Sequence, residues 1–297
     1  MFKKILLAAT PQVNTQTAPK AAFDLARKNG AELVLFHSLP IGKDAWCTFD
    51  ETVSEKTLID ATAAKIADYY AEDLKDIPNH SIRVTTGATH EQLFKMIHSE
   101  GIDLIVMGHH TGVMDRPDRM WGSVDTTIRK VCSNVFCPVL VVTNDVPQRA
   151  QYKRIVMATD FSTPSESALC YAVDMARKYD AHIDIFHVLD IGQNVPNPQY
   201  YMQDMNIFID QAKKKMMQRY TKALDGISHS FQCWEGIPYI EILKQARWSE
   251  ADLVIMAQYS SSEVIAKPMV GSTSIQVALS PGSPALIVNY RARNCMK

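Results

Sequence analysis

The chain is 297 residues long, carries a formal net charge of −1 and is 46% hydrophobic. That length suits two globular domains of roughly 100–200 residues each better than one. The balanced charge lacks the basic footprint of a nucleic-acid binder, and no apolar run reaches the roughly 18 residues of a membrane-spanning helix, so neither partner is expected.

The cellular compartment is predicted from the first residues and from the cysteines. The apolar run at residues 5–9 is shorter than the roughly 7–15 residues of a signal-peptide core, and it is better explained as a buried strand. Six cysteines are scattered along the chain without a CxxC pair. We therefore expect reduced thiols in a cytoplasmic protein that has no metal site of its own.

The sequence contains an internal repeat. Residues 3–42 align without a gap with residues 153–192, and fifteen of these forty positions are identical. The match continues at a slightly shorter offset, where IDLIVMG in the first copy corresponds to ADLVIMA in the second. A repeat of this length is a whole domain. We predict domain 1 over residues 1–145 and domain 2 over residues 151–297.

Domain 1 alternates strand-forming and helix-forming segments. Short apolar runs between helices are typical of strands buried on both faces of a parallel sheet. Strands are predicted at residues 5–9, 32–37, 81–86, 103–107 and 139–142. Helices are predicted after the first strand and at residues 55–75, 90–99 and 123–132.

Domain 2 repeats this order. After its first strand, a helix is predicted with Thr163 as N-cap, Pro164 in the first turn and Glu166 completing a capping box. The remaining strands are predicted at residues 183–187, 228–234, 252–256 and 285–288, and the remaining helices at 201–224, 239–248 and 272–279. The fold class is therefore α/β, with two doubly wound, five-stranded, Rossmann-like parallel sheets in tandem.

One loop of domain 1 carries the most specific motif. In MGHHTGVMDRPDRMWGSV a strand ends at Gly108, the loop contains Gly112, and Gly122-Ser123 opens a helix. Glycines let a backbone approach a polyphosphate without a Cβ in the way, and a helix N-terminus offers free N–H groups and partial positive charge. The loop therefore predicts a phosphate site at the carboxyl ends of the strands, where doubly wound sheets bind ligands.

With the first strand KKILLAAT, the second strand LVLFH and the last strand CPVLVV, this loop resembles the universal stress protein family. The resemblance covers almost the whole chain, twice. It implies a strand order of 3-2-1-4-5, a role in the stress response and the binding of ATP or AMP, with no metal beyond a nucleotide-associated Mg²⁺. It also implies pairing of two such domains, here within one chain, with a homodimer as a further option.

The two copies depart from the family pattern in opposite ways. Domain 1 keeps three loop glycines, with one extra residue between the first two, but has Thr10 where the family has an acidic residue near the ribose or adenine. Domain 2 has Asp160 at that position and keeps only Gly271-Ser272 of the loop. The nucleotide is therefore expected mainly in domain 1.

The candidate nucleotide contacts follow from this comparison. In domain 1 they are Thr10, Gly108, Gly112, Gly122, Ser123 and Val124. In domain 2 they are Asp160, Gly271 and Ser272. Asp160 has a second interpretation, in which it only orders the turn after its strand. His37 and His187, which recur at the end of the second strand, are expected to make a structural hydrogen bond, and His109-His110 are expected to be loop histidines.

Two other functions stay open at this point. In one, both domains are degenerate and act as a scaffold or interaction module without nucleotide. In the other, domain 2 binds a different small ligand beside Asp160. Signatures of catalysis are missing, since the sequence has neither GxxxxGK[ST] nor GxSxG. No catalysis is predicted beyond slow ATP hydrolysis.

Overall fold

The computed structural model describes residues 1–10, 16–39, 54–108, 122–143, 152–190, 201–258, 272–280 and 282–289. The chain divides into two compact units, Met1–Ala150 and Gln151–Lys297. They are called domain 1 and domain 2 below.

Domain 1 contains five parallel strands and the helices that connect them. The strands are β1 Lys4–Ala8, β2 Glu32–Leu39, β3 His80–Thr86, β4 Leu104–Gly108 and β5 Val139–Val142. The helices are α1 Thr17–Asn29, α2 Glu55–Tyr69, α3 Ala71–Leu74, α4 Thr89–Glu100 and α5 Gly122–Asn134. The strands lie in the order β3-β2-β1-β4-β5.

Domain 2 repeats this arrangement. Its strands are β6 Arg154–Ala158, β7 His182–Asp190, β8 His229–Gly236, β9 Leu253–Ala257 and β10 Ala285–Val288. Its helices are α6 Thr163–Tyr179, α7 Tyr201–Tyr220, α8 Pro238–Trp248 and α9 Ser272–Ala278. Their strand order, β8-β7-β6-β9-β10, is again 3-2-1-4-5.

The predicted fold class and strand order are confirmed in both domains. Most predicted element boundaries differ from the observed ones by one or two residues. The single helix predicted over residues 55–75 is instead two helices, because α2 ends at Tyr69 and a separate turn, α3, follows.

Each core is formed by the central strands and the first helix. In β1, Ile5, Leu6 and Leu7 are fully buried, as expected for a strand covered on both faces. The helix α1 is rich in small residues on its buried face, which lets it pack closely over β1 and β4. The order in which strands are added to the sheet reverses between β1 and β4. This switch point places the candidate site at the carboxyl ends of those two strands.

A repeated aspartate secures the opposite end of the first strand. The carboxylate of Asp103 accepts hydrogen bonds from the backbone N–H groups of Lys3 and Lys4, at 2.7 and 3.1 Å. Asp252 accepts the equivalent bonds from Lys153 and Arg154, at 2.8 and 3.0 Å. The two aspartates therefore have a structural role at the edge far from the candidate site.

The first helix of domain 2 begins one residue earlier than predicted. The N-cap of α6 is Ser162, whose Oγ accepts from the Ser165 N–H at 3.3 Å. The predicted capping box of Thr163 and Glu166 is wrong, because Glu166 instead accepts hydrogen bonds from Arg219. Glu166 thus pairs with a charged residue of another helix and not with the start of its own.

The described cysteines are not all alike. Cys132, Cys137 and Cys233 are free and buried, and burial raises the pKa of the first two thiols to about 12 and of the third to about 11. Cys170 is disulfide-bonded, so the expectation of reduced thiols throughout is wrong there. None of the helices in the described part of the chain is long and apolar enough to cross a membrane.

Candidate functional site

The last residue of β4 in domain 1 is Gly108, and the packing of the described residues does not explain why it is a glycine. Gly108 pairs with Val142 of β5 and does not have a positive φ. A Cβ added to it would meet only the Ala18 Cβ among the described residues, at 3.6 Å, which is an ordinary contact. Among the described residues, neither backbone strain nor crowding therefore requires a glycine at this position.

The helix that follows the loop begins at the same edge of the sheet. The 13-residue helix α5 starts at Gly122, so Gly122, Ser123 and Val124 form its first turn. Their backbone N–H groups have no acceptor within the helix and carry its partial positive charge. The predicted contact Gly112 lies outside the described residues.

A buried hydroxyl group lies at the end of the neighbouring strand. Thr143 directly follows β5 and is 2% exposed. Its Oγ1 has no hydrogen-bond partner in the described part of the chain. An unpaired buried polar group costs about 1–3 kcal/mol, so a polar group entering this edge would stabilise it.

The end of β1 is held by its own domain. The carbonyl of Thr10 accepts a hydrogen bond from the Tyr70 hydroxyl at 3.3 Å, and His37 donates from Nδ1 to the Ala9 carbonyl at 2.8 Å. Both contacts fix the backbone, so the predicted adenosine end of the site is ordered.

The histidine contact recurs in domain 2. His187 donates from Nδ1 to the Thr159 carbonyl at 2.7 Å, which confirms the structural role expected for this pair of histidines. Burial lowers the pKa of His187, against the opposing effects of the Thr159 hydrogen bond and the nearby Asp160 carboxylate. His187 is therefore a neutral imidazole near pH 7, with its N–H on Nδ1.

Asp160 is exposed and orders the turn after β6. Its Oδ1 accepts from the Ser162 N–H at 2.9 Å, the contact expected of an aspartate in an Asx turn. This contact accounts for the residue without a ligand. A contact between Asp160 and a nucleotide stays a prediction.

Next to Asp160, Phe161 adopts a conformation that is unusual for a residue with a side chain. Its φ is 64°, in the left-handed region. The ring lies 4.5 Å from the His187 ring and parallel to the Tyr220 ring at 6.5 Å, and the Lys215 Nζ is 4.1 Å from its centroid. Side chains of domain 2 thus surround the end of β6.

The same positions are linked differently in the two domains. In domain 2, the Thr159 hydroxyl hydrogen-bonds the hydroxyls of Tyr220 and Ser165, at 2.7 and 3.1 Å. Domain 1 has Ala9 in place of Thr159, and Tyr70 reaches the Thr10 carbonyl instead. The network at this strand end is therefore more extensive in domain 2.

A second pair of equivalent positions has changed from neutral to charged. In domain 1, Gln16 donates from Nε2 to the Tyr69 hydroxyl at 2.6 Å. In domain 2, Arg219 donates from Nε to Glu166 at 2.9 Å and from Nη1 to the Phe161 carbonyl at 2.6 Å. Sequence reasoning missed both pairs, although the constant offset of 150 relates them and was the available signal.

The end of β9 in domain 2 differs from the end of β4 in domain 1. Ala257 stands where domain 1 has Gly108, and Gln258 beside it is 1% exposed, with its Nε2 unpaired among the described residues. The helix α9 begins at Ser272, but Gly271 and the Ser272 side chain lie outside the described structure.

No metal centre is formed by the residues described. Within the described ranges, no group of three or more histidine, cysteine, aspartate and glutamate side chains is placed to hold a metal ion. His109 and His110 lie outside these ranges, so their role stays a prediction.

Two doubly wound parallel sheets, each with a switch in strand order between its first and fourth strands, define a tandem α/β protein. Comparison with known proteins makes this more specific. The model of the universal stress protein family matches residues 1–143 and again residues 151–289. The chain belongs to this family and carries its domain twice.

One curated relative and two solved structures are similar to this chain. A universal stress protein of Methanocaldococcus jannaschii is 25% identical over 140 residues, which is 46% of this chain and 82% of that protein. A universal stress protein of Archaeoglobus fulgidus has a similar structure over 99% of this chain and 97% of its own, with a TM-score of 0.65 and 19% identity. A functionally unknown protein of Pseudomonas aeruginosa has a similar structure over 98% of this chain and 93% of its own, with a TM-score of 0.67 and 16% identity.

Proposed function

We propose that this protein is a nucleotide-responsive regulator of the stress response and that domain 1 binds ATP or AMP. The observation that carries the proposal is the open position at Gly108, at the same sheet edge as the start of α5. A phosphate group can approach the backbone there and accept hydrogen bonds from the first turn of the helix. The equivalent position in domain 2 carries a Cβ at Ala257.

Each candidate residue has a defined task in this proposal. The N–H groups of Gly122, Ser123 and Val124 bind the phosphates, and Gly108 leaves room for them. The Thr143 hydroxyl donates to a ligand oxygen, which satisfies a group that has no partner in the described structure. Thr10 adjoins the adenosine end, without the charge that an aspartate would supply. Any Mg²⁺ arrives with the nucleotide.

The proposal assigns no strong nucleotide binding to domain 2. Its turn after β6 is engaged by Ser162 and Arg219, and the Phe161 ring packs among neighbouring side chains at the strand end. These contacts favour domain 2 as a stable interaction module.

The test is a thermal-shift titration of the full chain with ATP and with AMP. Ligand at about 100 times its Kd stabilises the bound domain by about 2.7 kcal/mol, or roughly 5–10 °C in Tm. Gly122→Asp removes the shift, because the new carboxylate repels phosphate while an acidic residue in a first helical turn leaves α5 stable. Gly271→Asp in domain 2 is the matched control and retains the shift.

Two outcomes separate the candidate functions. Wild-type protein that shows no shift at millimolar nucleotide contradicts the proposal and leaves the scaffold function. A shift that survives Gly122→Asp but disappears with Gly271→Asp moves the nucleotide to domain 2.

A further inference from the structure

No described strand covers the outer edge of β8 in domain 2, and the middle of this strand lacks the charge found at the equivalent edge in domain 1. Among the described residues β8 pairs only with β7, as β3 pairs only with β2. An open strand edge is a template for another strand, and proteins usually block it with a charged side chain.

Domain 1 has such a charge in the middle of its edge strand, and domain 2 does not. Arg83 in the middle of β3 is half exposed and is held by Glu100, with Nε and Oε1 3.3 Å apart. Arg83 lies opposite Phe36, and Gln232 lies opposite the equivalent Phe186, so Gln232 takes its place in β8. The interior of β8 reads Ser-Phe-Gln-Cys-Trp and contains no charge.

The backbone groups that face outward from β8 are known from its pairing. Ile183 donates its N–H to the Ser228 carbonyl at 2.9 Å, so the polar groups of residue 228 point towards β7. Strand alternation then turns the backbone N–H and C=O groups of every second residue outward, away from the sheet. These outward residues are His229, Phe231, Cys233 and Glu235.

Exposed aromatic surface adjoins this edge. Trp248, at the end of α8, is 72% exposed, and its ring lies 6.4 Å from that of Trp234 in β8. Trp234 is anchored in turn by an edge-to-face contact with Phe186 at 5.3 Å. Exposed tryptophan beside an open edge is typical of an interface residue, whereas domain 1 has Ser99 at the position of Trp248.

We propose that β8 pairs in antiparallel fashion with β8 of a second copy of this chain, about a two-fold axis through Gln232. This register places Phe231 opposite Cys233 of the partner subunit and His229 opposite Glu235 of the partner subunit. Residues with outward backbone groups then face each other throughout, as an antiparallel ladder requires.

The strand is complementary to itself in this register, which is why the occupant is a second copy. The match of His229 with Glu235 of the partner subunit occurs twice by symmetry, as in any two-fold interface. The edge strand of domain 1 cannot form it, because His80 there has Thr86 as its counterpart at the other end of β3. A strand of an unrelated protein would match both ends only if it carried complementary residues at the same spacing.

Sedimentation velocity of the full chain, over about a hundredfold range of concentration, tests this arrangement. Wild-type protein forms a dimer as concentration rises. Gln232→Arg, which installs the charge found in domain 1, gives a monomer or raises the dimer Kd by about tenfold or more. The matched control Arg83→Gln leaves the dimer unchanged, and thermal unfolding of each variant verifies its fold.

A charge exchange tests the register itself. His229→Glu faces Glu235 of the partner subunit and weakens the dimer, while the double change His229→Glu with Glu235→Arg restores it. Wild-type protein that stays monomeric, or a dimer that is insensitive to Gln232→Arg, overturns the proposal. A dimer weakened by Gln232→Arg but not restored by the charge exchange overturns the register.

Discussion

Two pairs of identical side chains at equivalent positions make the same hydrogen bonds in both domains. His37 and His187 each bind the backbone at the end of the first strand, and Asp103 and Asp252 each bind the backbone at its beginning. Such pairs fix the strand that leads to the site, so the two copies keep one geometry while the residues around it differ.

We expect the partly buried imidazole of His187 to make domain 2 sensitive to acid. Because burial lowers its folded pKa below the ordinary 6.5, the unfolded chain binds the proton more readily. Stability from this residue is complete above pH 6.5 and is lost as pH falls from there to the folded pKa. An NMR titration of the imidazole gives a midpoint below 6.5.

The control is His187→Asn, which keeps a side-chain N–H near the Thr159 carbonyl and removes the titrating group. This variant flattens the loss of stability with falling pH. An imidazole midpoint at or above the ordinary value would contradict the assignment of a neutral, desolvated ring.

The pair of Arg219 and Glu166 stabilises domain 2 more than its neutral counterpart stabilises domain 1. Arg219→Met leaves the largely buried Glu166 carboxylate and the Phe161 carbonyl without their donor, and we expect a loss of about 1–3 kcal/mol. Tyr69→Phe removes one neutral hydrogen bond to Gln16 and costs about 0.5–1.5 kcal/mol. Urea unfolding of the two variants measures both, and equal losses would show that charge adds nothing.

Among secondary-structure elements, the helix starts separate local from tertiary effects. Ser162→Ala removes the oxygen that accepts from the Ser165 N–H, so α6 loses about 1 kcal/mol. Thr163→Ala, one residue later, leaves the cap intact and is nearly neutral. Denaturant midpoints compare the two, and a larger loss for Thr163→Ala would restore the N-cap predicted from the sequence.

The elements themselves were predictable because their signals are local and occur twice. Alternating apolar runs gave the ten strands, and the repeat supplied an independent alignment for each of them. The contacts that decide the site were not predictable in this way. Arg219 and Glu166 are 53 residues apart, and no local motif indicates their contact.

Some features of the candidate site follow from a local sequence motif, whereas others depend on contacts that only the fold reveals. Gly108 and the start of α5 at Gly122 follow from a motif within one loop. The unpaired hydroxyl of Thr143 could not be found from sequence, because only the register of β5 beside β4 reveals its position. Pattern alone likewise could not show that Phe161 would pack beside His187.

At the scale of the whole molecule, the two domains share one fold but differ in the residues at equivalent strand ends. Domain 1 has Gly108 at the end of β4, where domain 2 has Ala257. At the end of the first strand, domain 2 has the larger described network of hydrogen bonds and aromatic contacts.

This division predicts an asymmetric response to nucleotide, which hydrogen–deuterium exchange of the full chain can measure. With ATP at about 100 times its Kd, amide exchange in β4 and at the start of α5 slows by up to about a hundredfold, because opening must release the ligand. Exchange in β9 and α9 of domain 2 stays unchanged. Gly122→Asp abolishes the protection and Gly271→Asp does not. Equal protection in both domains would mean that the closed strand end of domain 2 does not exclude nucleotide.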